Sequence, residues 1–204
     1  MMISNPSMPG YRINEYRLVI PLPEALQQKV LGVRQTLHER HGVKPAFELK
    51  PSLTLLRCHA FEKGEPRLLE KLQLAALQTA PFKVELQDYA GYPTHTIYIN
   101  VLTKAPFNEL CKELKKSKWL MQVPQHAPFF INEPHLMIAQ RLKPKEFTNM
   151  WNECEHRQFT GRFIADSVLL LKRNEQNKAY QVVRRFEFQN LPLSIKQGTL
   201  FAGL

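Results

Sequence analysis

The sequence predicts an α+β fold made of two similar halves, and three observations predict it. Apolar residues recur at helical spacing in four segments, each opening just after a proline. Runs of strand length, rich in β-branched and aromatic residues, lie between those segments. The order strand, helix, strand, helix, strand then occurs twice, with equivalent strands beginning about eighty positions apart.

Tyr16 to Leu22 reads as the first strand. Leu26, Val30, Val33 and Leu37 follow Pro23 at helical spacing, and Gly42 is placed to end that helix. Proline suits a first helical turn because its missing N–H has no partner to lose there. Leu53 to Cys58 is the second strand, and Leu68, Leu72 and Ala76 form a helix after Pro66. Phe82 to Tyr89 completes the first half.

The second half opens with Thr96 to Leu102 and continues with Phe107, Leu110, Cys111 and Leu114 after Pro106. Leu136 to Gln140 is its middle strand, and Phe147, Met150, Trp151 and Cys154 mark a helix after Pro144. Phe163 to Leu171 reads as one further strand. Ala179 to Phe188 comes after it across a hairpin loop, Asn174 to Lys178. These elements predict a single bilobal, pseudo-symmetric domain over 16–190, with halves of about 16–92 and 93–190 that can interleave. Residues 1–15 read as a loose lead-in, and 191–204 form a tail without periodicity.

Composition bounds the function. Among 204 residues, 44% are apolar and 12 are Phe, enough for a packed core and against wholesale disorder. No apolar run approaches the roughly 20 residues of a membrane helix, and the N-terminus lacks a basic start or an apolar stretch. A cytoplasmic protein with no membrane partner is expected, and a monomer is favoured. Cys58, Cys111 and Cys154 are odd in number and widely spaced, so reduced, core-facing thiols are expected. The net charge of +10 favours polyanionic partners. The run Lys112 to Lys118 reads as a solvated helix face.

The sharpest internal echo is Pro51-Ser52-Leu53-Thr54-Leu55-Leu56 against Pro134-His135-Leu136-Met137-Ile138-Ala139, offset by 83 (134 − 51). Strand residues two apart share a face. Ser52 therefore pairs with Thr54 and His135 with Met137. Symmetric halves would turn all four toward each other.

Those two motifs and the element order resemble the 2H phosphoesterases, the 2'-5' RNA ligase-like superfamily. The resemblance spans roughly Tyr16 to Phe188. It implies two small antiparallel sheets lining a central cleft, with helices outside and a His-x-Thr/Ser motif on a strand of each lobe. It implies action on 2',3'-cyclic phosphate ends, 2'-5' linkages or related cyclic nucleotides, with no metal or other cofactor. The partner it implies is a phosphorylated nucleotide or RNA end.

The chemistry suits two imidazoles. In-line phosphodiester cleavage needs a base on the attacking oxygen and an acid on the leaving oxygen, and a pKa near neutrality permits either role. Flanking hydroxyls hold the non-bridging oxygens. This chain departs from the pattern twice, with Ser52 where a histidine is expected and Met137 where a hydroxyl is expected. His135 and Thr54 are the matching catalytic candidates, and Ser52, Met137 and Arg141 are substrate-binding candidates. Arg141 shares the parity of His135 if the strand persists.

Of the other histidines, His59 falls on the face opposite Ser52 in a regular strand. His38 and His41, late in a helix, are expected to face solvent. His95 and His126 lie in loops, either of them within reach of a cleft. Phe129 and Phe130 are either core residues or a platform for a base. Three readings result: a phosphoesterase with reduced or altered catalysis, a non-catalytic module binding nucleotide or RNA phosphate, and an interaction domain sharing only the fold.

Overall fold

The structure, a computed structural model, describes residues 11–42, 50–174 and 179–191. Strand β1 spans Ile13–Pro21, starting inside the expected lead-in, and alternates sharply. Tyr16, Leu18 and Ile20 are fully buried on one face, while Glu15 and Arg17 lie on the other. Helix α1 covers Glu24–His41 and ends at Gly42, whose φ of 62° is the left-handed conformation that glycine adopts without strain. Next come β2 (Ser52–Phe61), α2 (Glu65–Gln78) and β3 (Phe82–Tyr92). The second half holds β4 (Thr96–Val101), α3 (Ala105–Lys115), a short β5 (Phe129–Phe130), β6 (His135–Gln140) and α4 (Pro144–Cys154).

One strand prediction is corrected at this point. Phe163 to Leu171 is two strands, β7 (Thr160–Ala165) and β8 (Ser167–Arg173), parted at Asp166 and lying in different sheets. The last strand is β9 (Gln181–Glu187). Residues 175–178 of the expected hairpin loop and 192–204 of the expected tail lie outside the described residues.

All pairings are antiparallel, in a sheet ordered β5-β2-β1-β8-β9 and a sheet ordered β6-β4-β3-β7. The halves interleave. β2-β1-β8-β9 and β6-β4-β3-β7 repeat one pattern, and β3 from the first half joins the sheet of the second. The helices exchange too, for α1 packs on α4 and β6 while α2 packs on α3 and β9. A joint core runs through both layers, including Leu53, Leu55, Leu72, Ile97, Phe107, Leu136 and Ile138. Each such aliphatic residue contributes roughly 1.5–3 kcal/mol on burial. Cys58, Cys111 and Cys154 are free and buried in this core.

A candidate phosphate-binding cleft

Both motif strands carry an irregularity at the same place. β1 pairs Leu18 with Leu56 but Val19 with Thr54, leaving Leu55 as an extra residue in β2. β4 pairs Ile97 with Ala139 but Tyr98 with Met137, leaving Ile138 as an extra residue in β6. Each bulge lets two consecutive residues point into the core and reverses the parity of the residues after it. Leu55-Leu56 and Ile138-Ala139 are those buried pairs.

Before the bulges, Ser52 and Thr54 on β2 and His135 and Met137 on β6 are half-buried and turn away from the core, as the period of two predicts. After them, Arg57 and Gln140 return to the same side. His59 therefore stands on the face of Ser52, and the opposite placement expected of a regular strand is corrected. Its ring lies 4.1 Å from that of His126, centroid to centroid.

The four motif residues and Arg141 line one cleft of about 270 Å³ with Arg17, Arg34, Lys50, Arg57, Phe129, Ile131 and Gln140. Arg141 reaches it by an unexpected route. β6 ends at Gln140, and Arg141 adopts a φ of 59°, a costly left-handed turn for a side-chain-bearing residue. Five of the lining residues are cationic, and no carboxylate is among the described ones. Phe129 is 52% exposed beneath the Arg57 guanidinium, 5.6 Å from its ring centroid, whereas Phe130 is buried.

His135 is oriented from behind. Its Nδ1 lies 2.9 Å from the carbonyl of Glu133, and a carbonyl can only accept, so Nδ1 carries the proton and Nε2 keeps a lone pair. Tyr98 and Tyr92 pack on the ring at 5.0 and 5.8 Å. Burial pushes the imidazole pKa below its ordinary value, partly opposed by the Glu133 carbonyl. The resting form is the neutral base. On the other strand, Ser52 Oγ donates to the carbonyl of Lys50 at 3.1 Å.

The remaining histidines fall elsewhere. His38 is buried, and His41 Nε2 lies 2.8 Å from Glu153 Oε2 on α4, so neither has the solvent-facing role expected of it. His95 Nδ1 lies 3.1 Å from the Pro93 carbonyl and is absent from the described lining of the cleft.

Sequence reasoning missed Arg17, Arg34, Lys50, Arg57, Ile131 and Gln140. Arg34 had a legible signal, because it falls on the buried stripe Val30, Arg34, Leu37, His38 of α1. A charged residue amid apolar neighbours marks a place where charge has a task.

The model of the 2'-5' RNA ligase superfamily matches residues 22–177. The chain belongs to this superfamily. No curated protein matches the sequence. Among solved structures, TT0787 of Thermus thermophilus is 20% identical with a TM-score of 0.62, covering 86% of this chain and 98% of its own. LigT of E. coli complexed with 3'-AMP is 12% identical with a TM-score of 0.62, covering 87% of this chain and 98% of its own. At these identities the likeness is one of fold, and it bears out the two antiparallel sheets expected of the 2H phosphoesterases.

Proposed function

We propose that this cleft binds the phosphate of a nucleotide or RNA end and is a poor catalyst of cyclic phosphodiester hydrolysis. The observation that carries the reading is the gathering of Arg17, Arg34, Lys50, Arg57 and Arg141 in one cleft lined by both motifs. Like charges gathered in one cleft raise its positive potential and attract an anion. LigT structures are known as complexes with 3'-AMP and with phosphate, which supports the same class of ligand here.

His135 is the residue able to take a proton, since Nε2 of the neutral ring is its available base. Thr54 donates a hydrogen bond to a non-bridging oxygen, and Arg57 and Arg141 balance the charge of these oxygens. Serine cannot exchange protons near neutral pH, so the step that needs an opposing acid has no imidazole on β2. Loss of one acid–base group costs about 10²–10⁴-fold.

A second reading, binding without turnover, is favoured by the Ser52 hydroxyl being held on the Lys50 carbonyl. Titration with 2'- and 3'-mononucleotides at several salt concentrations, beside a hydrolysis assay on 2',3'-cyclic nucleotides, tests both. Salt-sensitive binding with slow, His135-dependent turnover supports the first reading. Binding with no turnover supports the second. No binding, or rapid turnover unaffected by His135→Ala, overturns the site.

A further inference from the structure

The lysine run at the end of α3 continues into an exposed aromatic residue. Leu114, Ser117, Met121 and Val123 are buried and pin this segment, while Lys112, Lys115, Lys116, Lys118 and Trp119 point outward. Trp119 is 54% exposed, on a short 3-10 helix over Lys118–Met121 that packs on β2. Glu113 is the one acidic residue between Lys112 and Phe130, and Lys116 Nζ donates to its two oxygens at 2.8 and 2.6 Å.

The place of this run relative to the cleft is set by β5, the outermost strand of its sheet. Consecutive strand residues face opposite ways. Phe129 turns into the cleft, with the Arg57 guanidinium 5.6 Å from its ring centroid. Phe130 turns the other way, with Lys115 Nζ 5.9 Å from its centroid. The cations of the cleft and those of the lysine run therefore meet across a single edge strand.

We infer that the surface running from Phe129 around the sheet edge to Lys115, Lys118 and Trp119 binds the single-stranded polynucleotide tail attached to a phosphate end held in the cleft. This rests on the phosphate-binding reading above, which concerns the end alone. A single strand presents phosphates and base faces in alternation. Cations take the first and exposed aromatic rings the second, without reading sequence. The partner is a flexible chain, because a flat lipid surface cannot touch Phe129 inside the cleft and Lys115 beyond the edge strand together. Affinity should therefore grow with the length of the tail.

The test compares 3'-AMP with an oligoadenylate of about eight nucleotides, a common site size, that ends in the same 3'-phosphate. The oligonucleotide should bind the unmodified protein about tenfold more tightly or better. Trp119→Ala should weaken oligonucleotide binding by about 5–100-fold, the usual worth of a stacked base, and leave 3'-AMP binding unchanged. Lys115→Ser combined with Lys118→Ser should flatten the salt dependence of oligonucleotide binding by about 0.7 per lysine on a log–log plot, the single-strand value. Fluorescence anisotropy of a labelled oligonucleotide and calorimetric titration of 3'-AMP give the affinities, and circular dichroism melts verify that each variant folds. An oligonucleotide that binds no better than 3'-AMP, a gain that survives both variants, or losses shared equally by the two ligands overturns this surface. Binding of anionic phospholipid vesicles that the same variants abolish, with no gain for the oligonucleotide, also overturns it and assigns the patch to a membrane. Absence of 3'-AMP binding in the unmodified protein overturns instead the reading on which the inference rests.

Discussion

Ser52 and His135 make the same hydrogen bond. Each side chain donates to the carbonyl two residues before it, Ser52 Oγ to Lys50 at 3.1 Å and His135 Nδ1 to Glu133 at 2.9 Å. The pseudo-symmetry of the fold thus reaches beyond strand order to the acceptors that orient the motif side chains. The backbone leading into β2 already presents, at Lys50, the carbonyl that would set the tautomer of an imidazole at position 52.

Ser52→His should therefore raise hydrolysis of a 2',3'-cyclic mononucleotide by about 10²–10⁴-fold, the usual worth of a positioned acid–base group. His135→Ala in that background should remove the gain. Initial rates at saturating substrate give the answer. A gain that survives loss of His135 would mean that the two imidazoles do not act as a pair.

The pH dependence has a defined sign. Burial disfavours the imidazolium of His135, so it titrates below the ordinary histidine value of about 6.5. Base-dependent turnover should rise as pH climbs through that depressed midpoint and level off by neutrality. Stability follows the same direction. The contribution of His135 is fully present above the unfolded pKa and is lost as pH falls through the folded one. Histidine ring resonances followed by NMR from pH 4 to 8 (roughly the window that brackets histidine titration) would locate the midpoint. A value above that of an unfolded peptide would contradict the neutral resting form.

Arg57 is exposed in the cleft and stacks on Phe129. Arg57→Ala should weaken phosphate and nucleotide binding about tenfold at low salt, at the modest end for a charged hydrogen bond because solvent screens it. The salt dependence of Kd should become shallower in the variant. Titrations at low and high ionic strength measure both quantities, and an unchanged slope would exclude Arg57 from the anion's surroundings.

Leu53 and Leu136, one residue after each motif's first position, are fully buried. Leu53→Ala and Leu136→Ala should each cost about 2–5 kcal/mol through lost burial and residual cavity. Urea unfolding monitored by tryptophan fluorescence would report it. A loss below about 1 kcal/mol at either position would mean that the core relaxes around the gap.

Much of this architecture is legible in local pattern. Proline-started helices and strand parity depend on neighbours a few residues away, so Ser52, Thr54, His135 and Met137 could be turned to one side from spacing alone. The bulges at Leu55 and Ile138 could not be read that way. They arise from pairing with β1 and β4, and they decide where Arg57, His59 and Gln140 point. The division of Phe163 to Leu171 at Asp166 is similarly set by two sheets competing for one run of strand-forming residues. Arg34 meets Met137 across 103 positions, a contact that only the exchange of helices between sheets creates.

That exchange bears on how the chain is made. β1 lies between β2 and β8, and Glu15 receives Arg173 from 158 residues downstream. As the polypeptide leaves the ribosome, β1 can take β2 as a partner early but must keep its other edge bare until β8 emerges. An open edge is a template for wrong pairing. A message truncated anywhere before the codon for Ser167 would release a product whose first sheet cannot close, and such fragments belong to the chaperones and proteases rather than to the folded pool.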